Sequence, residues 1–174
     1  SLDSLKGFNN KPDTTGRLFT ILTEMFLAER KSTSNDSNAK NTSLEQKQII
    51  NAKSVLPFRV FPLISSLAES TGTSEELLMA ADFTGKIFNL ADDIADLFED
   101  LNNRSFSSIS LCLDSGMTLK ESIDTAFSEI SRLIKRLERL LDSKHFNQVE
   151  SKKFMQLIKM YIYSWIGEKQ FENT

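Results

Sequence analysis

The stretch from Leu77 to about Asn102 constrains this chain more than any other part of its sequence. Leu77, Ala80, Ala81, Thr84, Ile87, Phe88, Ala91, Ile94, Ala95, Phe98 and Leu101 recur at steps of three and four, which is one continuous stripe on a helix. A stripe that long has to be buried against other helices, so the surrounding sequence must supply partners.

Partners of the same kind lie on both sides. Leu18, Ile21, Leu22, Met25 and Phe26 predict a helix from about Thr15 to Arg30. Ser43 with Gln46 is a capping-box pattern that starts a second helix through Ile49, Ile50 and Lys53. Pro57 and Pro62 predict a kink or restart there before Leu63, Ile64 and Leu67 continue it. Thr73 with Glu76 is expected to cap the long striped helix. Residues 103–116 are Ser-rich and read as an irregular connection. Thr118 with Glu121 caps a helix carrying Ile123, Phe127, Ile130, Ile134, Leu137 and Leu141. Asn147 with Glu150 caps the last, whose inner face is assigned to Phe154, Leu157, Ile158, Tyr161, Ile162 and Trp165. The expected class is an all-α bundle forming a single domain over 1–174, with a mobile polar loop at 31–42.

Composition narrows the function classes. With 174 residues the chain is long enough to bury roughly 70% of its unfolded surface without staples. One cysteine, Cys112, and one histidine, His145, exclude an intrachain disulfide and a Cys/His zinc cluster, so any metal is expected on oxygen ligands. A net charge of −3 lacks the basic excess of a nucleic-acid binder. No run approaches the roughly 18 apolar residues of a transmembrane helix, and the chain is read as cytoplasmic.

The chemistry is concentrated at the end of the striped helix. Asp92-Asp93-Ile94-Ala95-Asp96-Leu97-Phe98-Glu99-Asp100 holds five acidic groups in nine residues with no base among them. On a helix Asp92, Asp96 and Asp100 stand at four-residue steps and repel one another unless a cation intervenes. Magnesium is the expected cation, because it takes hard oxygen ligands and bridges carboxylates to phosphates. The competing reading is a solvated acidic face.

Gly85-Lys86-Ile87-Phe88-Asn89-Leu90-Ala91-Asp92-Asp93-Ile94-Ala95-Asp96 resembles the second aspartate-rich region of the trans-isoprenyl diphosphate synthases, where a glycine, an aromatic and an amide residue precede DDxxD. Lys53-Ser54 looks like the lysine-threonine pair that contacts diphosphate in those enzymes. Glu99-Asp100 with Arg104 and Phe106 is similar to the acidic-to-arginine stretch of squalene and phytoene synthases, which share the fold. The resemblance covers about Gln48 to Leu113 and implies the isoprenoid-synthase type of bundle. It implies magnesium on Asp92, Asp93 and Asp96, with Asp100 added in the squalene-synthase alignment. Lys53 and Arg104 would bind substrate diphosphate, and Asn89 would stand beside the leaving group. The implied activity is magnesium-dependent prenyl transfer or terpenoid formation from allylic diphosphates, with Phe58, Phe61, Phe83 and Phe88 available as apolar walls.

The family's first aspartate-rich motif has no counterpart. Residues 1–52 hold only Asp3, Asp13, Glu24, Glu29, Asp36 and Glu45, none paired at the required spacing. Together with the absence of an initial methionine, this leads to the expectation of a partial domain. Such a piece would be the C-terminal part of a longer fold, working as a homodimer or with a complementary N-terminal half. The alternative is a noncatalytic all-α interaction module that presents its acidic helix face to a partner. Arg132, Lys135, Arg136 and Arg139 are read as a solvated face, His145 as noncatalytic, and Cys112 as a small buried hydrophobe.

Overall fold

The computed structural model describes residues 12–33, 43–69, 72–103 and 105–172. Among them are seven α-helices and no strand: α1 (Pro12–Thr33), α2 (Ser43–Ala68), α3 (Glu75–Ala95), α4 (Leu97–Asn103), α5 (Ser108–Asp114), α6 (Leu119–Leu141) and α7 (Gln148–Glu172). The fold is all-α, as its periodicity requires.

The striped helix is the centre. Ala80, Ile87 and Ala91 of α3 pack with Ile130, Leu133, Leu137 and Leu141 of α6 and with Met155, Ile158 and Ile162 of α7. Leu78 of α3 packs on the other side with Ile21 of α1 and with Leu56 and Leu63 of α2. A third cluster joins Leu97, Ile109 and Ala126, and Ile94 is packed against both this cluster and the first. Ile87 and Leu137 have no exposed surface, and each such side chain contributes about 1.5–3 kcal/mol of transfer free energy.

Several boundaries differ from the sequence expectation. α1 is longer at both ends than Thr15–Arg30; it opens on Pro12, whose missing N–H is one that a first turn leaves unbonded anyway. Lys31 to Thr33 extend it, and the rest of the expected polar loop lies outside the described residues. α2 runs through Pro57 and Pro62 without restarting, although each ring removes one backbone donor. The cap of α3 is Ser74, whose Oγ accepts from Leu77 N at 3.1 Å; Thr73 instead donates to Ser66 Oγ at 2.6 Å. The long helix is interrupted at Asp96, its C-cap, so the acidic stretch is divided between α3 and α4. Residues 108–114 are helical, started by a Ser107–Ser110 capping box. The Thr118–Glu121 box and the Asn147 cap stand where expected.

α2 and α3 cross in near backbone contact at Gly85. A Cβ there would be driven into the carbonyl oxygen of Ser54 and would stand 2.9 Å from Phe58 Cδ2. The carbonyl belongs to a helix and cannot rotate away as a side-chain tip would.

Gly85→Ala should therefore destabilise the fold by about 2–3 kcal/mol, as overpacking of a tight contact does, despite the better helix propensity of alanine. Urea unfolding measures it, and an unchanged midpoint would show the crossing to be looser than described. Ile94→Asp should unfold the chain or lower its midpoint further, because it puts an unpaired charge between two core clusters.

Candidate functional site

α3 carries two kinds of surface that meet at its C-terminal end. Thr84, Phe88 and Asp92 follow one another at four-residue steps on one face. Thr84 and Phe88 line a groove of about 850 Å³ between α2, α3 and α7, whose walls also include Phe58, Phe61, Leu157 and Tyr161. The Thr84 hydroxyl donates to Ala80 O at 2.8 Å, so the one polar side chain of α3 in the groove is already satisfied. The aromatic rings run on from it in series. Phe58 to Phe88 is 5.5 Å between centroids, Phe88 to Tyr161 is 4.6 Å, and Tyr161 to Trp165 is 4.9 Å. The Asp92 charge reaches this end of the groove. It holds the Tyr161 hydroxyl above its ordinary pKa, second to desolvation.

Adjacent residues on a helix diverge by about 100°, and Asp93 accordingly serves a different purpose from Asp92. Its carboxylate is buried, accepts from the backbone N–H of Ser108 at 2.7 Å, and accepts from Asn89 Nδ2 at 3.3 Å. It fastens the start of α5 to α3. Burial pushes its pKa up to about 6 against the opposing pull of the Ser108 hydrogen bonds, with Asp100 and Asp92 adding repulsion. Asp100, on α4, is also raised, by burial first and by Asp96 second, while Ser105 and Lys53 pull it back.

The described residues among those implied by the resemblance differ in their engagements. Lys53 stands near enough for its charge to act on Asp100, and its ammonium is held by Glu29 at 3.2 Å and Ser32 Oγ at 3.1 Å. Asn89 is turned to Asp93. Arg104 lies outside the described residues. Phe58, Phe61 and Phe88 are groove walls as expected; Phe83 is not, and lies beneath the Arg136 guanidinium at 4.9 Å.

Among the described residues no three His, Cys, Asp or Glu side chains stand together as a set that holds a metal ion. With Asp93 committed to Ser108, the carboxylates do not form a cage for a resident magnesium.

Sequence reasoning missed the contribution of α7. Its apolar residues cover too wide an arc for one contact: Met155, Ile158 and Ile162 face the core, while Phe154, Leu157 and Tyr161, assigned to the same inner face, line the groove. That width was the available signal. His145 Nε2 stands 3.9 Å from Glu76 Oε1. Arg132 is engaged with Glu129, and Cys112, only partly buried, lines a separate cleft. No helix of the described residues is long and apolar enough to cross a membrane.

Comparison of the chain with protein-family models, curated proteins and solved structures finds no match.

The elevated pKa of Asp93 fixes a pH dependence. A carboxyl whose folded pKa lies above its unfolded value near 3.8 favours the unfolded state once ionised. This penalty, on the order of 3 kcal/mol, is fully present above about pH 6 and is relieved as pH falls toward 4. Asparagine keeps an acceptor for Ser108 N–H without the charge. Asp93→Asn should therefore gain on the wild type at pH 7.5, and the gain should shrink by roughly 2 kcal/mol at pH 4.5. Urea midpoints at the two pH values measure it; a gain independent of pH would show that Asp93 titrates as an ordinary carboxyl.

Proposed function

We propose that this chain binds an allylic isoprenoid diphosphate and belongs to a prenyltransferase or terpenoid-synthase activity on that substrate class. The observation that carries the reading is the line Thr84, Phe88, Asp92, along which one helix face passes from an apolar groove into an acidic end. A branched hydrocarbon tail fits against Phe58, Phe61 and Phe88, where burial of apolar area supplies affinity and water is excluded from a reactive carbon. The diphosphate would lie at the Asp92 end. Two anions repel, so the substrate recognised there is the magnesium diphosphate complex, in which the phosphates supply most of the metal's ligands and a carboxylate one or two. In this reading Asp92 anchors that complex, Lys53 is the expected phosphate partner, and Asp93 positions α5 beside it.

A second reading has its own support. The groove lining includes Glu150 and no lysine or arginine. That composition suits an amphipathic helix with a basic flank, as a noncatalytic interaction module would bind.

The two readings differ in their need for metal. Melting temperature should rise with magnesium plus an unreactive thio analogue of an allylic diphosphate, by more than with magnesium plus pyrophosphate and not with the analogue alone. Asp92→Asn should abolish the rise. An equal rise in the variant, or one that needs no magnesium, would overturn the diphosphate reading; binding of an apolar, lysine-flanked helical peptide without magnesium would support the second.

A further inference from the structure

The α2–α3 crossing leaves a second cleft on the other side of α3. Lys86, Asn89 and Leu90 lie on the helix face opposite Thr84 and Phe88. With Lys47, Asn51 and Ser54 from the first half of α2, and walls from α5 and α6, they enclose about 400 Å³. We propose that this cleft is a separate binding site for a small organic anion with an apolar body, such as an aryl or short alkyl phosphate or carboxylate.

Charge and floor together define that class. Two ammonium groups, Lys47 and Lys86, border the cleft, and among the described residues neither is within ion-pair distance of a carboxylate. The one acid in the lining, Glu129, faces them with its charge already chelated: Arg132 Nε and Nη2 donate to its two oxygens at 2.6 and 2.5 Å. Lys86 and Arg136 add to the pull that holds Glu129 below the usual carboxylate range. Ile50, Leu90, Leu111 and the buried Leu133 make the interior apolar. The interior hydroxyl of Ser54 is spent on Ile50 O, and the Asn89 amide donates to Asp93. The cationic rim thus selects a negative head, and the apolar interior selects a hydrocarbon body over inorganic phosphate.

Cys112 lines this cleft and is the only cysteine of the chain, so it reports on occupancy without defining the site. The experiment uses phenyl phosphate in EDTA, which silences any magnesium-dependent binding in the α2–α3–α7 groove. It follows alkylation of Cys112 by neutral iodoacetamide through intact mass. Phenyl phosphate should slow alkylation saturably, by about fivefold at roughly four times its dissociation constant. Inorganic phosphate should protect less at equal concentration and benzyl alcohol not at all. Lys47→Gln with Lys86→Gln, both at the cleft rim, should remove the protection while leaving the circular dichroism unchanged. Absence of protection, equal protection by benzyl alcohol, or protection retained in the double variant would each overturn the site. Melting temperature is read in the same titration, so that for a thiol too shielded to react, the absence of any shift with phenyl phosphate in EDTA overturns it equally.

Discussion

The two clefts lie on either side of one close contact, the passage of α2 over α3 at Gly85. Because no side chain separates the helices there, the Ser54 carbonyl and the Phe58 ring come down onto the α3 backbone. Away from that point helices of ordinary diameter diverge, and the space on each side has to be filled or left open. On one side it becomes the apolar groove between α2, α3 and α7; on the other it becomes the lysine-bordered cleft against α5 and α6. Phe58 packs at the crossing itself and also begins the aromatic series that ends at Trp165.

The acidic stretch illustrates how one sequence motif is divided by helix geometry into different tasks. Asp92 continues the groove face, Asp93 points toward α5, and the C-cap at Asp96 turns Asp100 onto a separate short helix. Ionised and buried, Asp93 costs stability at neutral pH, and what it obtains in return is a fixed α3–α5 junction through Ser108. The bonds from Ser108 N–H and Asn89 Nδ2 both fall on Oδ2 of Asp93, so that oxygen is turned to N–H donors and not to a cation. The electrostatic strain of five acids in nine residues is relieved in part by hydrogen bonding to Asp93 and by the charge of Lys53 near Asp100.

The fold class, the central helix and two of the caps were legible because they depend on local patterns: apolar spacing in α3 and α6, the Thr118–Glu121 box, and the Asn147 cap. What was not legible depends on tertiary context. The shift of the α3 cap from Thr73 to Ser74 follows from a bond to Ser66 seven residues back, which no spacing rule contains. α2 stays helical through two prolines because Leu56 and Leu63 on either side are buried in one cluster, so breaking the helix would expose both. α5 forms in a Ser-rich segment of poor propensity because Ile109 is buried against Leu97 and Ala126 while Asp93 satisfies an unbonded N–H of its first turn. Of the four Phe residues offered as walls, Phe58, Phe61 and Phe88 line the groove and Phe83 does not, and spacing alone could not reveal Tyr161 and Leu157 beside them, since α7 meets α3 only in three dimensions.

An apolar groove open to water is unfavourable to keep, and its persistence has to be explained by contacts that do not depend on an occupant. Arg59 Nε and Nη2 reach Asp82 at 2.6 Å each and tie the second half of α2 to α3. Lys159 reaches Glu138 at 2.6 Å and holds α7 against α6. Gln148 and Ser151 both donate to the Leu141 carbonyl, which fixes where α7 starts. Each of the three walls is thus tied to a neighbouring helix by a contact that involves no occupant of the groove. Helices held in place in this way need little reordering to keep the groove open, which is the part of a binding cost that preorganisation removes.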